Sequence, residues 1–414
     1  MPLRPAGMLG ALAGAAVALA PNSLPRDASV QMVLLGVSVV VGAALGTVVG
    51  RAVRGPRRAD TAATVAVTVV AIVVVGMLVA ANTLWQSALR SAMPGAAPLG
   101  PGWVLWSVAP IAALYAAAVS MRTPRSAVRL AAAAVVAACL TGAAPVALAA
   151  PAPTGADVAR TAVAVPHPIM ITGSVEARTA GPAAIHRAAQ DVVARWRSAG
   201  GGSRRAVVVA VPTGSGWVDP DAVAGFRERL GGDVSVVSLA YDHQPSWRAF
   251  VTGTGSATAG AIALTAAIGE ALDALDTDRR PSLYLYGQSL GAVGADAARR
   301  WARDHHVPVC ASVVVGAPAG TVARRGDRRV VVVNSSDPVA RWSPSLLWTP
   351  PARAEHADLP RPPWFPVASF VQTSVDLLGA LSFPAGHGHQ YGSEQGTRAP
   401  VCGRSTQIAP RAAS

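Results

Sequence analysis

The stretch Leu283-Tyr284-Leu285-Tyr286-Gly287-Gln288-Ser289-Leu290-Gly291 places a G-x-S-x-G pattern between an apolar strand and a helix. Such a turn is so tight that only glycine fits at its flanking positions, and it lifts the serine hydroxyl above a sheet at a helix N-terminus. Ala292, Gly294, Ala295, Ala297 and Ala298 follow, small enough for a helix pressed onto that sheet. Ser289 is therefore the candidate nucleophile. The bland alternative is an ordinary strand-to-helix turn in a glycine-rich chain.

Outward from the turn, short β-branched runs alternate with Ala/Arg-rich helical stretches, which is the α/β pattern. Strands are expected at 168–172, 206–211, 234–240, 283–286, 311–315 and 329–333. They are apolar nearly throughout, as strands buried on both faces of a parallel sheet are. Helices are expected at 182–198, 221–230, 257–275 and 292–303.

A serine hydroxyl needs a base, and the base needs a carboxylate to orient it; in this fold the chain order is Ser, acid, His. Val330-Val331-Val332-Val333-Asn334-Ser335-Ser336-Asp337-Pro338 supplies Asp337 just past a strand end, where α/β sites collect. An Asp-Pro turn with no further role is the alternative. Gly386-His387-Gly388-His389-Gln390-Tyr391 is the only His cluster beyond it, and the sequence leaves His387 and His389 as equal candidates for the base. Two His one residue apart also suit a metal, but no carboxylate pattern accompanies them, so neither metal nor cofactor is expected. The oxyanion donors should be the backbone N–H of Leu290 and that of Thr213 or Gly214, in the Gly-rich loop after the strand at 206–211.

The first 150 residues read differently. The chain has 414 residues, 51% of them hydrophobic and 14% charged, with a mean hydropathy of +0.39 and a net charge of +13. A charge of that size invites a nucleic-acid partner. Yet residues 1–150 carry 10 Arg, 2 Asp, no Glu and no His, so much of the excess sits where the chain is most apolar. That pattern points to membrane topology and away from nucleic acid. A bilayer core needs about 20 apolar residues in a helix. Five spans are expected, at 6–21, 30–50, 61–82, 103–121 and 130–150. Arg51, Arg54, Arg57 and Arg58, and then Arg122, Arg125 and Arg129, mark two cytoplasmic loops, because such loops retain basic residues. The loops with Arg26 and Arg90 then lie outside, and so does everything past residue 150. No span holds Asp, Glu, Lys, Arg or His, which disfavours a transporter. Arg122, Arg125 and Arg129 before an apolar run that ends in Ala147-Leu148-Ala149 also fit a secretory signal, whose cleavage after Ala149 would release the domain. Lysine is absent altogether, which suggests a GC-rich bacterial genome.

Pro212 to Pro220, Pro245-Ser246-Trp247, Gly287 to Gly291, Ser336-Asp337-Pro338 with Trp342-Ser343-Pro344, and Pro384 to Tyr391 together resemble a bacterial membrane α/β-hydrolase family with a multi-span N-terminal domain. The resemblance implies a Ser-Asp-His hydrolase with Ser289, Asp337 and His387 or His389 at the matching positions. One departure stands out. The general fold has a strand between acid and base, whereas the residues between Asp337 and His387 are Pro-rich and then helical over 367–381. They hold Trp342, Trp348, Trp364, Phe365, Phe370 and Phe383, and are expected to form a cap, either lining an acyl pocket or simply packing. Cys310 and Cys402 are expected to pair, since an extracytoplasmic domain permits oxidation.

The expected architecture is an α-helical transmembrane domain (1–150), a linker (151–164), an α/β-hydrolase-like domain with a mostly parallel sheet and helices on both faces (165–395), and a tail (396–414). The expected function is a membrane-anchored serine hydrolase of esterase, lipase or thioesterase type, working through an acyl-enzyme outside the bacterial cell membrane on a small or lipid-like acyl substrate. An acyltransferase on the same triad, or a non-catalytic envelope scaffold, are the alternatives.

Overall fold

The computed structural model describes residues 5–54, 61–109, 168–175, 181–212, 216–240, 255–326, 328–352, 354 and 357–402. They divide into two compact units. One joins the N-terminal helices with residues 344–352 and 357–379, and the other contains the sheet.

In the first unit, α1 (Pro5–Ala18), α2 (Ala28–Arg54) and α3 (Thr61–Ala92) are apolar almost throughout. Spans of 26 residues (Ala28–Val53) and 27 residues (Ala66–Ala92) are long and apolar enough to cross a membrane. The expected first span is corrected in length: α1 has 14 residues, short of the about 20 a crossing needs. The expected spans at 103–121 and 130–150, with the Ala149 site and Cys139, lie wholly or mostly outside the described residues, of which 101–109 are helical. Gly10 and Gly14 of α1 meet Ser38, Gly42 and Gly46 of α2 so closely that a Cβ on any of these glycines would run into the opposite backbone. Small residues at helical spacing let the two backbones touch, and here they serve packing within the bundle.

Residues 344–352 and 357–379, the latter with α8 (Ala368–Asp376), belong to this helical unit. The expected cap is thus built into the N-terminal helices. Val371 and Val375 pack with Leu19, Leu34 and Leu35. The loop from Leu19 to Asp27 is held by buried polar groups. Arg26 pairs with Asp376 at 2.7 Å and donates to Gln372 Oε1 at 2.7 Å, while Gln86 accepts from the Arg26 N–H at 2.8 Å. The carboxylate that pairs with Arg26 thus lies 350 residues away in the chain.

The second unit is a six-stranded, all-parallel sheet in the order β1-β3-β2-β4-β5-β6. Its strands are β1 (Ile169–Ser174), β2 (Ala206–Val211), β3 (Val234–Ala240), β4 (Ser282–Gln288), β5 (Ala311–Val315) and β6 (Arg329–Val332). Strands β2 to β5 are buried at every residue. Their alternate side chains feed two cores. Val207, Val209 and Val211 pack with α4 (Pro182–Ser198), α6 (Gly255–Asp273) and α7 (Leu290–Asp304). Ala206, Val208 and Ala210 pack with Phe226 of α5 (Pro220–Arg229) and with Tyr391 and Ala399, which flank α9 (Glu394–Thr397). Helices on both faces of a parallel sheet form the doubly wound arrangement the alternating sequence implies. Cys310, at the start of β5, is disulfide-bonded to Cys402 across a Cα–Cα distance of 6.0 Å.

Candidate active site

Strand β4 ends in a sharp turn. Ser289 has φ 54 and ψ −122, a backbone region that non-glycine residues rarely occupy and that persists only when its surroundings enforce it. Here they do. A Cβ on Gly287 would run into the Gly291 carbonyl, and one on Gly291 would run into the Val211 carbonyl at the end of β2. The Ser289 N–H donates to Val315 O at 2.8 Å, tying the turn to the end of β5. The Ser289 hydroxyl is half-buried and makes no cap bond to α7. Leu290 opens α7, so its N–H has no acceptor within the helix. Thr213 and Gly214 lie outside the described residues.

Past β6, the turn from Asn334 to Asp337 closes with the Asp337 N–H on Asn334 O at 3.1 Å. Asp337 is fully buried, and its carboxylate accepts three hydrogen bonds: Oδ1 from the Val339 N–H at 2.8 Å, and Oδ2 from His389 Nδ1 at 2.8 Å and Tyr391 Oη at 2.6 Å. The structure thus separates the two His candidates. His389, also buried, faces the carboxylate; His387 donates its backbone N–H to Pro384 O and accepts from the Gln390 N–H. With Nδ1–H donated to Asp337, Nε2 of His389 keeps its lone pair, the tautomer a general base requires.

Three residues the sequence left unassigned hold this pair. Asn334 Nδ2 donates to Gly388 O at 3.0 Å and to Gln390 O at 2.9 Å, and Ser336 Oγ accepts from the Gly388 N–H at 2.8 Å. The acid's turn therefore grips the backbone on both sides of His389. Tyr391 is the third, edge-on to His389 with ring centroids 5.9 Å apart. Asn334 and Ser336 sit in the quoted run that led to Asp337, and Tyr391 sits two residues after His389, so proximity to the motif was the one available signal.

Gly316, just after β5, joins the two halves. With φ +51 it has no Cβ, and one placed there would lie 2.9 Å from His389 Cε1 and 2.8 Å from Tyr391 Cε2. The end of β5 thus contacts the Ser289 backbone at Val315 and abuts His389 at Gly316. No hydrogen bond joins Ser289 Oγ to His389 among the described residues. In unliganded hydrolytic sites that bond is often long and tightens when substrate binds.

A second buried network lies on the face of the sheet that Phe226 and Tyr391 cover. Tyr286 Oη donates to Gln395 Oε1 at 2.7 Å, and Gln395 Nε2 donates to Asp219 Oδ2 at 2.8 Å. Burial raises the Asp219 carboxyl above its usual range against the opposing hydrogen bond from Gln395, and burial beside Asp219 and Glu394 pushes the Tyr286 phenol well up. Asp219 also caps α5 by accepting from the Asp221 N–H, so this network secures packing. Among the described residues no three His, Cys, Asp or Glu side chains form a set suited to a metal ion.

A family model described as the alpha/beta-hydrolase family matches residues 179–326 and 320–400, more than half of the chain. Neither the curated proteins nor the solved structures give a match. The match spans Ser289, Asp337 and His389 and agrees with the parallel sheet and its strand-to-helix turn: the chain belongs to the alpha/beta-hydrolase family.

Proposed function

We propose that the protein is a membrane-anchored serine hydrolase that cleaves an ester or thioester through an acyl-enzyme on Ser289. The observation that carries the proposal is the buried hydrogen bond between His389 and Asp337, on a sheet whose strained Ser289 turn ends at the neighbouring strand. His389 Nε2 takes the Ser289 proton as Oγ attacks the carbonyl carbon, and Asp337 stabilises the imidazolium that forms. The developing oxyanion is met by the Leu290 N–H at the start of α7, with Thr213 or Gly214 as the second donor. Protonated His389 then returns its proton to the leaving group, and water, activated by the same His, frees the acid. Product analysis with a competing alcohol present separates hydrolysis from acyl transfer.

The two long apolar helices support the membrane anchor. Val37, Val40, Leu45 and Val48 of α2, and Val69, Ile72 and Met77 of α3, expose apolar side chains that lipid would cover. Arg26 also bears on the proposed side of the membrane. The arginine-rich 51–58 segment marks the cytoplasmic end of α2, which puts the loop from Leu19 to Asp27 outside. α8 is bonded to that loop and lies in sequence between Asp337 and His389, which favours an extracytoplasmic catalytic domain.

Incubating the full-length protein with a fluorophosphonate probe and locating the adduct by peptide mass spectrometry tests the proposal. An adduct on Ser289, absent from Ser289→Ala, is expected. A protein that stays unlabelled while folded overturns it and favours the scaffold alternative.

A further inference from the structure

We infer that residues 344–352 and 357–379 form an interfacial element whose partner is the surface of a lipid bilayer, so that the acyl substrate is a membrane lipid. The inference rests on the membrane-anchored reading above and adds where the substrate comes from.

Its first support is an inverted polarity. Of the buried residues of α8, Ala368, Ser369, Gln372, Thr373 and Asp376, all but Ala368 are polar; Asp376 accepts from the Ser23 N–H and Gln372 donates to Ala18 O. Val371 and Val375 pack inward, but other large apolar residues near α8 are exposed: Leu378 79%, Trp348 66%, Val367 49% and Phe365 47%. In water this arrangement forfeits roughly 25 cal/mol for each Å² of apolar surface left bare. At a bilayer boundary the same side chains lie in acyl chains while the backbone stays at the headgroups.

The second support is the depth at which the element is held. Gln372 Nε2 donates to Val17 O and Ala18 O, the last carbonyls of α1, and Arg26 at the start of α2 pairs with Asp376. α8 is therefore fixed at the ends of apolar helices, the level of the membrane boundary and not of its core. Tryptophans mark the same level. Trp85 Nε1 donates to Asn22 O at 2.9 Å and Trp103 Nε1 to Arg26 O at 2.8 Å, while Trp106 is exposed. Tryptophan gathers at membrane–water boundaries because its ring prefers acyl chains and its N–H prefers polar partners. The exposed apolar side chains of this segment belong to the same unit as the apolar helices.

The test uses the full chain in lipid nanodiscs, in a Cys139→Ala background, with an environment-sensitive fluorophore on Trp348→Cys, Leu378→Cys or, as a control in the sheet unit, Ser198→Cys. Nitroxide lipids labelled near the headgroup should quench the first two about twofold and leave Ser198→Cys unchanged. In parallel, the double variant Trp348→Ser/Leu378→Gln should lower turnover of a vesicle-borne lipid ester about 10-fold, with cleavage of a water-soluble ester unaltered. Absence of quenching at both sites, or equal losses on both esters, overturns the inference. Concentration-dependent self-quenching between labelled chains without lipid quenching also overturns it, because a second copy then covers the surface. A protein that cleaves neither ester and takes no label on Ser289 instead fails the hydrolase reading, a separate result.

Discussion

Two buried carboxylates, Asp376 in the helical unit and Asp337 in the sheet unit, face different partners. Asp376 accepts from Arg26 Nη2 at 2.7 Å, Asn22 Nδ2 at 3.0 Å and the Ser23 N–H at 2.8 Å, so a permanent cation neutralises it. Asp337 has no guanidinium. Its partners are a backbone N–H, a phenol and one imidazole, whose charge appears only when His389 takes up a proton. The first arrangement is a clamp that ties α8 to the α1–α2 loop. The second is the arrangement that the proposed hydrolase needs, because a carboxylate there would stabilise an imidazolium formed during the reaction.

The largest effect that could break this contrast is on turnover. Asp337→Asn keeps the shape of the side chain but favours the wrong imidazole tautomer, and it should lower kcat about 10⁴-fold with the thermal midpoint little changed. A loss below 10-fold would make Asp337 a second clamp. Next comes Asp376→Ala, which strands the Arg26 charge. It should destabilise the protein by about 3–5 kcal/mol in detergent unfolding. The double variant Arg26→Met/Asp376→Leu should recover most of that loss, as apolar replacement of a structural ion pair often does. The carboxylate and imidazole of Asp337 and His389 have no such apolar substitute, so a matching double variant there stays inactive.

A smaller change is expected from Cys402→Ser, which opens a link spanning 92 residues and should lower stability by about 3 kcal/mol without altering turnover per folded molecule. The smallest is Tyr391→Phe. It removes one donor to a buried carboxylate while keeping the ring, and should slow Ser289 labelling about 10-fold. A fall in thermal stability with labelling intact would reduce Tyr391 to packing.

The sheet was legible because its signals are local. Runs such as Ala206–Val211 and Ala311–Val315 carry their burial in their own composition, and both form with the bounds their sequence implies. The turn at Ser289 was legible for the same reason, since Gly287 and Gly291 are steric requirements written into five residues. What stayed hidden depends on partners distant in sequence. His389 is distinguished from His387 by Gly388, whose φ of +56 fixes the loop, and by Asn334 and Ser336, which grip that loop from another strand end. No local pattern pairs Arg26 with Asp376, so nothing near residues 344–352 and 357–379 announces that they pack with the N-terminal helices. Helix α8 also runs shorter than the expected 367–381, because the chain tightens into a 3₁₀ turn at Leu377–Gly379.

The most direct measurement compares fluorophosphonate labelling of Ser289 in His389→Gln and His387→Gln, each in the full-length protein. Loss of labelling in His389→Gln, with near wild-type rates in His387→Gln, is the result that a Ser289, Asp337 and His389 triad predicts. Equal labelling of both variants, or loss in His387→Gln alone, would contradict it.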